Sequence, residues 1–265
     1  MEKGTIIGKG MTAEVYELED HKVLKLFYEW FPHEWIIKEA DIGFALKEAD
    51  IPAPIIYGLV NEENCKGIIY QHIYGESMLK HISKNPLKAA DYARRMAKLH
   101  IEINRKENDK LPRQKEILES AIRRSSNTLG EKTEKILKYL KKLPDSNHIC
   151  HGDYHPDNIL LSGEKAVVID WMTASSGNPA GDAARTCLIL KSPFLPKGTP
   201  AFIVLLSKIM RKKLLSIYLN EYIGMSGIAK EEIEAWMLPT AAARLNENIP
   251  GEKEWLLSII DKKLK

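Results

Sequence analysis

The chain has 265 residues, 44% of them hydrophobic, enough for one large domain or two modest lobes around a substantial buried core. Its 39 basic and 36 acidic side chains leave a formal charge of +3, too even a balance to point to a nucleic-acid partner. Three widely spaced cysteines, Cys65, Cys150 and Cys187, argue against a disulfide framework or a zinc knuckle; with no apolar signal core after Met1 and no membrane-length apolar run, a cytoplasmic protein that meets no membrane is expected.

The first seventy or so residues read as sheet. Thr5–Gly8, Ala13–Leu18 and Lys22–Phe27 are short runs of branched and aromatic residues broken by Gly and Asp, which predicts three antiparallel strands. Pro32 to Asp50 carries Trp35, Ile36, Ala40, Phe44 and Ala45 at near-helical spacing and stops at Pro52-Ala53-Pro54, which predicts one helix. Ile55–Val60 and Gly67–Ile73 predict a hairpin around the polar loop Asn61–Asn64. The strand signal fades after Tyr74-Gly75.

From Glu76 onward the pattern is mainly helical, with helices predicted over Leu87–Ile103, Arg113–Leu129 and Lys132–Leu143. A short hairpin, Ile159–Leu161 with Ala166–Ile169, turns around Ser162–Glu164. Helices resume at Asp182 and continue over Phe202–Ile223, Lys230–Arg244 and Lys253–Leu264. The expected fold class is α+β: a bilobal chain with an antiparallel-sheet N-lobe over residues 1–73, a mainly helical C-lobe over residues 74–265, a connector near Gln71 to Gly75, and a ligand cleft between the lobes.

Four signals carry chemistry. Gly8-Lys9-Gly10-Met11-Thr12-Ala13 has the GxGxxG shape with alanine in the third glycine position. Glycines let backbone amides close over phosphates, although an ordinary hairpin turn has the same composition. Lys25 lies between apolar neighbours on the third strand and needs an anionic partner. Glu39 in the following helix is the first candidate and Glu34 the second. In His151-Gly152-Asp153-Tyr154-His155-Pro156-Asp157-Asn158, placed on a loop, Asp153 can orient and deprotonate an accepting hydroxyl, and Asn158 offers the hard oxygen that magnesium prefers. Asp170, after the apolar strand Val167-Val168-Ile169, offers a carboxylate to metal ions that bridge nucleotide phosphates. A rival chemistry at the same place is a transition-metal hydrolase built from His148, His151, Asp153 and His155. That reading leaves Asn158, Asp170 and the glycine loop without roles. His151 is then expected to pack under the loop and Cys150 to be buried packing.

Together, HGDYHPDNIL, VVIDW, the glycine loop and Lys25 resemble the aminoglycoside phosphotransferase and choline kinase superfamily, small-molecule kinases with a protein-kinase-like fold. The resemblance implies Asp153 as catalytic base, Asn158 and Asp170 as Mg2+ ligands, and Gly8, Gly10, Thr12, Lys25 and Glu39 around an ATP or GTP phosphoryl donor. It also implies that the backbone of Gln71 and Ile73 meets the base, and that Asp182, in Gly177-Asn178-Pro179-Ala180-Gly181-Asp182, braces the catalytic loop. Only a dozen residues separate Asp170 from Asp182, little room for a protein kinase's activation segment, which favours a small acceptor. Two departures from the family pattern are Ala13 in the glycine loop and His155 in place of a lysine two residues after Asp153.

The expected activity is phosphorylation of a hydroxyl on a small molecule such as an antibiotic, sugar or amino alcohol. A nucleotide-binding pseudokinase and a protein kinase-like enzyme are the alternatives. Nothing in the sequence fixes the oligomeric state or the acceptor. The acids Glu221, Glu231, Glu232, Glu234 and Glu247 read as solvated helix faces rather than a polycation pocket, and Trp236 and Trp255 suit a core as well as a ligand.

Overall fold

A computed structural model describes residues 4–62, 65–194 and 201–264, without the side chains of 61, 62, 65 and 201–207. Part of the expected polar loop Asn61–Asn64 therefore lies outside the described residues, as do Met1–Lys3 and the Cys65 thiol. The strands and helices in chain order are β1 (Ile6–Lys9), β2 (Ala13–Leu18), β3 (Lys22–Phe27), α1 (His33–Glu48), β4 (Ile56–Glu62), β5 (Cys65–Gln71), β6 (Glu76–Ser77), α2 (Met78–Lys84), α3 (Ala89–Asn104), α4 (Gln114–Arg124), α5 (Ser126–Leu129), α6 (Lys132–Lys142) and β7 (His148–Cys150). They continue with β8 (Ile159–Ser162), β9 (Lys165–Val168), β10 (Ser175–Gly177), α7 (Pro179–Lys191), α8 (Ala201–Ser226), α9 (Lys230–Arg244) and α10 (Lys253–Lys263). The α+β class expected from the sequence is what the chain adopts.

The chain divides into two compact units, Met1–His81 with Asp157–Thr173, and Ile82–Pro156 with Ala174–Lys265. Residues 157–173 return to the first unit after the chain has entered the second. There β8 pairs with β6 and β9, and the Val168 N–H donates to the Pro52 carbonyl at 2.7 Å. The strand signal does not end at Gly75. It resumes for the two residues of β6, too few to show an alternating pattern.

In the first unit, five strands form an antiparallel sheet in the order β1-β2-β3-β5-β4. Its inward residues Ala13, Phe27, Ile56 and Ile68 pack with Ile36 and Ala40 of α1. Ala13 thus stands in the third glycine position because its methyl is part of the core. At Gly75, an added Cβ would lie 2.3 Å from the Leu161 carbonyl oxygen. Gly75→Ala is therefore expected to force β6 off β8 and to lower stability by about 1–3 kcal/mol, read as a shift in denaturant midpoint. A midpoint equal to wild type would show that the approach is not tight.

In the second unit, α3, α7, α8 and α9 surround a core containing Trp236, Tyr154, Tyr218, Tyr222, Met96 and Ile103, all buried. Two strand segments here are absent from the sequence reading: β7 and β10, three residues each, which pair antiparallel with Ser176 opposite Ile149. The helix expected over Arg113–Leu129 is two helices, interrupted at Ser125, whose backbone leaves helical values at φ −89° and ψ 5°. α7 starts at Pro179 rather than Asp182, because the Asn178 side chain accepts the Ala180 N–H at 2.9 Å and Pro179 occupies the first helical position. Among the described residues, no helix is long and apolar enough to cross a membrane.

Candidate active site

The residues singled out by the sequence fall into two groups, one in each unit. In the first unit, Lys25 on β3 reaches Glu39 on α1, with Nζ 2.7 Å from Oε1. The same nitrogen lies 3.7 Å from Asp170 Oδ1, and Tyr70 donates its hydroxyl to Glu39 Oε1 at 2.8 Å. Glu39 is buried, whereas Glu34, the second candidate partner, lies exposed in the first turn of α1. Burial alone would lower the Lys25 pKa, but the charges and hydrogen bonds of Glu39 and Asp170 outweigh it and raise it, so the ammonium stays charged. Burial, then the Glu39 charge, push the Tyr70 phenol well above its ordinary value.

The β8–β9 hairpin brings Asn158 and Asp170 together. Its register pairs Ile159 with Val168, and the Ile169 N–H donates to the Asn158 carbonyl at 2.9 Å, so the two residues lie at the open end of one hairpin. Asn158 is buried in the short 3-10 turn Pro156–Asn158, and Asp170 adopts a left-handed backbone, φ 63°. A non-glycine residue rarely takes that conformation, and such strain gathers at functional sites. One amide and one carboxylate are a hard-oxygen set of the kind that holds magnesium when substrate phosphates supply further ligands.

The glycine loop joins β1 to β2, closed by the Gly10 N–H on the Ala13 carbonyl at 2.9 Å, while the Thr12 carbonyl accepts from the Tyr28 N–H at 3.0 Å. Neither Gly8 nor Gly10 has a positive φ, and a Cβ on either would meet its neighbours no closer than 3.5 Å. The fold itself therefore does not require glycine at either position. At the end of β5, the Gln71 N–H donates to the Ile55 carbonyl at 2.8 Å, which leaves Gln71 only its carbonyl to offer a base; Ile73 follows as a half-buried residue.

In the second unit, Asp153 stands in the loop after β7. Its Oδ2 lies 3.4 Å from His155 Nε2 and its Oδ1 3.8 Å from Arg185, while its N–H donates to His151 Nδ1 at 3.1 Å. Burial alone would raise the Asp153 pKa, but the His155 hydrogen bond and the charges of His155, Arg185 and His151 hold it well below the usual carboxylate range. Beneath the loop, Asp182 is fully buried. Its Oδ2 accepts the His151 N–H at 2.8 Å, His100 Nε2 at 2.8 Å and Asn104 Nδ2 at 3.1 Å, and its Oδ1 accepts the Gly152 N–H at 2.8 Å. His100 in turn meets the Tyr218 hydroxyl at 2.7 Å and stacks on Tyr154 at 4.0 Å between ring centroids. Among the described residues, no three His, Cys, Asp or Glu side chains are arranged to hold a metal ion, so the imidazole centre considered from the sequence is not assembled. Cys150 is buried, which pushes its thiol pKa well up.

Sequence reasoning missed His100, Asn104, Arg185 and Tyr218. His100 follows the apolar Met96 by four residues and Arg185 follows Asp182 by three, so helical periodicity places each on the same helix face as that residue. Three of the acids weighed for a polycation pocket have partners close by. Glu221 meets Lys98 at 3.8 Å, Glu232 accepts the Ala229 N–H at 2.8 Å, and Glu234 meets Lys230 at 3.6 Å. Trp236 is core and Trp255 is half-buried.

Comparison with known proteins follows the same lines. An aminoglycoside phosphotransferase, a thermostable mutant in ternary complex with AMP-PNP and hygromycin B, has 13% identity and a TM-score of 0.65, covering 97% of this chain and 91% of that one. An amicoumacin kinase in complex with AMP-PNP and Ca2+ has 13% identity and a TM-score of 0.62, covering 98% and 88%. An aminoglycoside-3'-phosphotransferase of type VIII has 17% identity and a TM-score of 0.61, covering 92% of each chain. These likenesses establish the protein-kinase-like α+β fold. Among curated proteins, acyl-CoA dehydrogenase family member 10 of Mus musculus is 26% identical over 192 residues, a match that takes in 62% of this chain and 17% of the mouse protein's length. The sequence model of the phosphotransferase enzyme family (APH) matches residues 3–206, well over half of the chain, and the protein is accordingly an enzyme that belongs to that family.

Proposed function

We propose that the enzyme transfers the γ-phosphoryl group of ATP to a hydroxyl of a small molecule, with residues 1–73 serving mainly the nucleotide and 74–265 catalysis and the acceptor. The observation that carries this reading is the Lys25 ammonium, held at 2.7 Å by buried Glu39 and 3.7 Å from Asp170. A charged lysine beside a carboxylate able to hold metal is the arrangement that anchors nucleotide phosphates. Gly8 and Gly10, which the fold does not require, and Thr12 two residues after Gly10 would let the loop's backbone approach the phosphates. The Gln71 carbonyl and the Ile73 backbone would meet the base, for ATP or GTP alike. Asn158 and Asp170 fit Mg2+, which when bound neutralises charge on the transferring phosphates.

In the reaction, Asp153 accepts a hydrogen bond from the acceptor hydroxyl and then its proton. The oxygen forms the new bond to the γ-phosphorus as the bond to the ADP oxygen breaks, with no phosphoenzyme. His155 and Arg185 hold the Asp153 carboxylate ionised. The test is a screen with labelled ATP and Mg2+ over sugars, amino alcohols, aminoglycosides and macrolides, with thermal shift as a binding readout. One ADP per phosphoester formed is expected. Transfer to generic protein substrates with none to small alcohols would overturn the reading. Lys25→Met is expected to weaken nucleotide binding by roughly 10- to 100-fold in a fluorescent-nucleotide titration, the loss of a hydrogen bond to a charged group. An unchanged Kd would remove Lys25 from the nucleotide site.

A further inference from the structure

α7 places Asp182 and Arg185 on one face, three residues apart, and both reach Gly152 of the catalytic loop. Asp182 accepts the Gly152 N–H at 2.8 Å, and Arg185 Nε donates to the Gly152 carbonyl at 2.9 Å. Gly152, the residue before Asp153, is thus gripped through the two successive peptide groups that flank its Cα. A second Arg185 nitrogen faces the Asp153 carboxylate at 3.8 Å, and a third meets Glu247 at 2.6 Å. Glu247 lies in the short 3-10 turn Leu245–Glu247 after α9, beyond the stretch 3–206 matched by the family's sequence model. Its other oxygen meets Arg244 at 3.1 Å. Arg244 is nearly buried and grips buried Glu252 with two nitrogens, at 2.6 and 2.8 Å, and Glu252 accepts the Ser192 hydroxyl. The alternating charges form a rigid mount that ends at Arg185.

We propose that Arg185 is a positioning residue for Asp153, and that Glu247 fixes Arg185 in the pose that grips the catalytic loop. The turn after α9 is thereby part of the catalytic apparatus, acting through Arg185. Guanidinium geometry matters because one planar fork serves a carbonyl, a carboxylate and a counter-ion at once, which an ammonium does not reproduce. The inference rests on the reading of Asp153 as the base.

The test uses the full chain and ATP hydrolysis with water as acceptor, so that no acceptor need be known. Arg185→Gln, Arg185→Lys, Glu247→Gln, the double variant Arg185→Gln/Glu247→Gln and Asp153→Asn are compared well below the lowest Tm of the set. Arg185→Gln is expected to lower kcat about 10- to 100-fold with the KM for ATP within about threefold of wild type, and Arg185→Lys to fall between the two. Glu247→Gln is expected to lose about 3- to 10-fold, and the double variant no more than Arg185→Gln alone, because Glu247 acts through Arg185. Hydrogen exchange at the amides of 151–153 should rise in both single glutamine variants. If Arg185→Gln does not fold, Arg185→Lys carries the same test. A kcat within threefold of wild type for the arginine variants overturns the positioning role, and losses that multiply in the double variant overturn the relay from Glu247. Undiminished turnover in Asp153→Asn overturns the phosphotransfer reading itself.

Discussion

Asp153→Asn is expected to lower kcat by about 10² to 10⁴-fold while the Kd for nucleotide changes less than threefold. The substitution keeps the shape of the side chain and its place beside His155 and Arg185, but exchanges an acceptor-only carboxylate for an amide that offers N–H groups. An acceptor hydroxyl then loses both the group that orients it and the destination for its proton. Because the carboxylate pKa is depressed, Asp153 is ionised throughout the neutral range, and raising the pH from 6 to 8 leaves its charge unchanged. As the proposed base, Asp153 would therefore contribute mainly orientation and late proton acceptance, in keeping with a loose phosphoryl-transfer transition state. Single-turnover rates with labelled ATP and a reactive acceptor measure this directly, and an Asp153→Asn rate within tenfold of wild type would remove it as the base.

Asp182→Ala is expected to cost about 3–5 kcal/mol of stability, because a buried charge centre is removed from beneath four donors. His100 Nε2, Asn104 Nδ2 and the N–H groups of His151 and Gly152 would lose their shared acceptor in a dry interior. For a chain of this length, Tm should fall by roughly 6–20 °C. The pH dependence has a definite sign. Burial raises the Asp182 pKa, but the charge and hydrogen bond of His100, the Gly152 N–H and His151 bring it down to about 2 from an ordinary 3.8. The folded value lies below the unfolded one, so the carboxylate contributes its full stabilisation, roughly 2–3 kcal/mol, above about pH 4 and loses it as the pH falls through about 2. Denaturant unfolding of wild type should steepen in pH dependence across that window, and Asp182→Ala should flatten it. A variant Tm within 2 °C of wild type would show that the loop carries its own weight.

Much of the fold follows from local pattern. β2, β3 and α9 have the bounds that alternation and helical spacing assign to them, since each is long enough for its period to register. β6, β7 and β10 leave no such trace: two or three residues cannot alternate, and they are strands only because a partner from elsewhere in the chain offers hydrogen bonds. The true start of α7 was written in Asn178 and Pro179, a capping pair that the argument from apolar spacing passed over.

For the candidate site, the sequence by itself determined which residues are proposed to carry chemistry: Lys25, Asp153, Asn158 and Asp170 stand out by charge or amide function at short, fixed spacings. It also named Glu39 and Asp182 as the companions of those residues. Only the tertiary structure decided how they are held. Glu39 rather than Glu34 meets Lys25 because α1 turns that face to the sheet, and Asp182 rises under the loop because His100 and Asn104 on α3 complete its hydrogen bonds. Glu247 reaches Arg185 across 62 residues of sequence, the difference of their numbers. A pairing of that kind is set by helix packing and by the need to neutralise buried charge, and neither leaves a local signature in the chain.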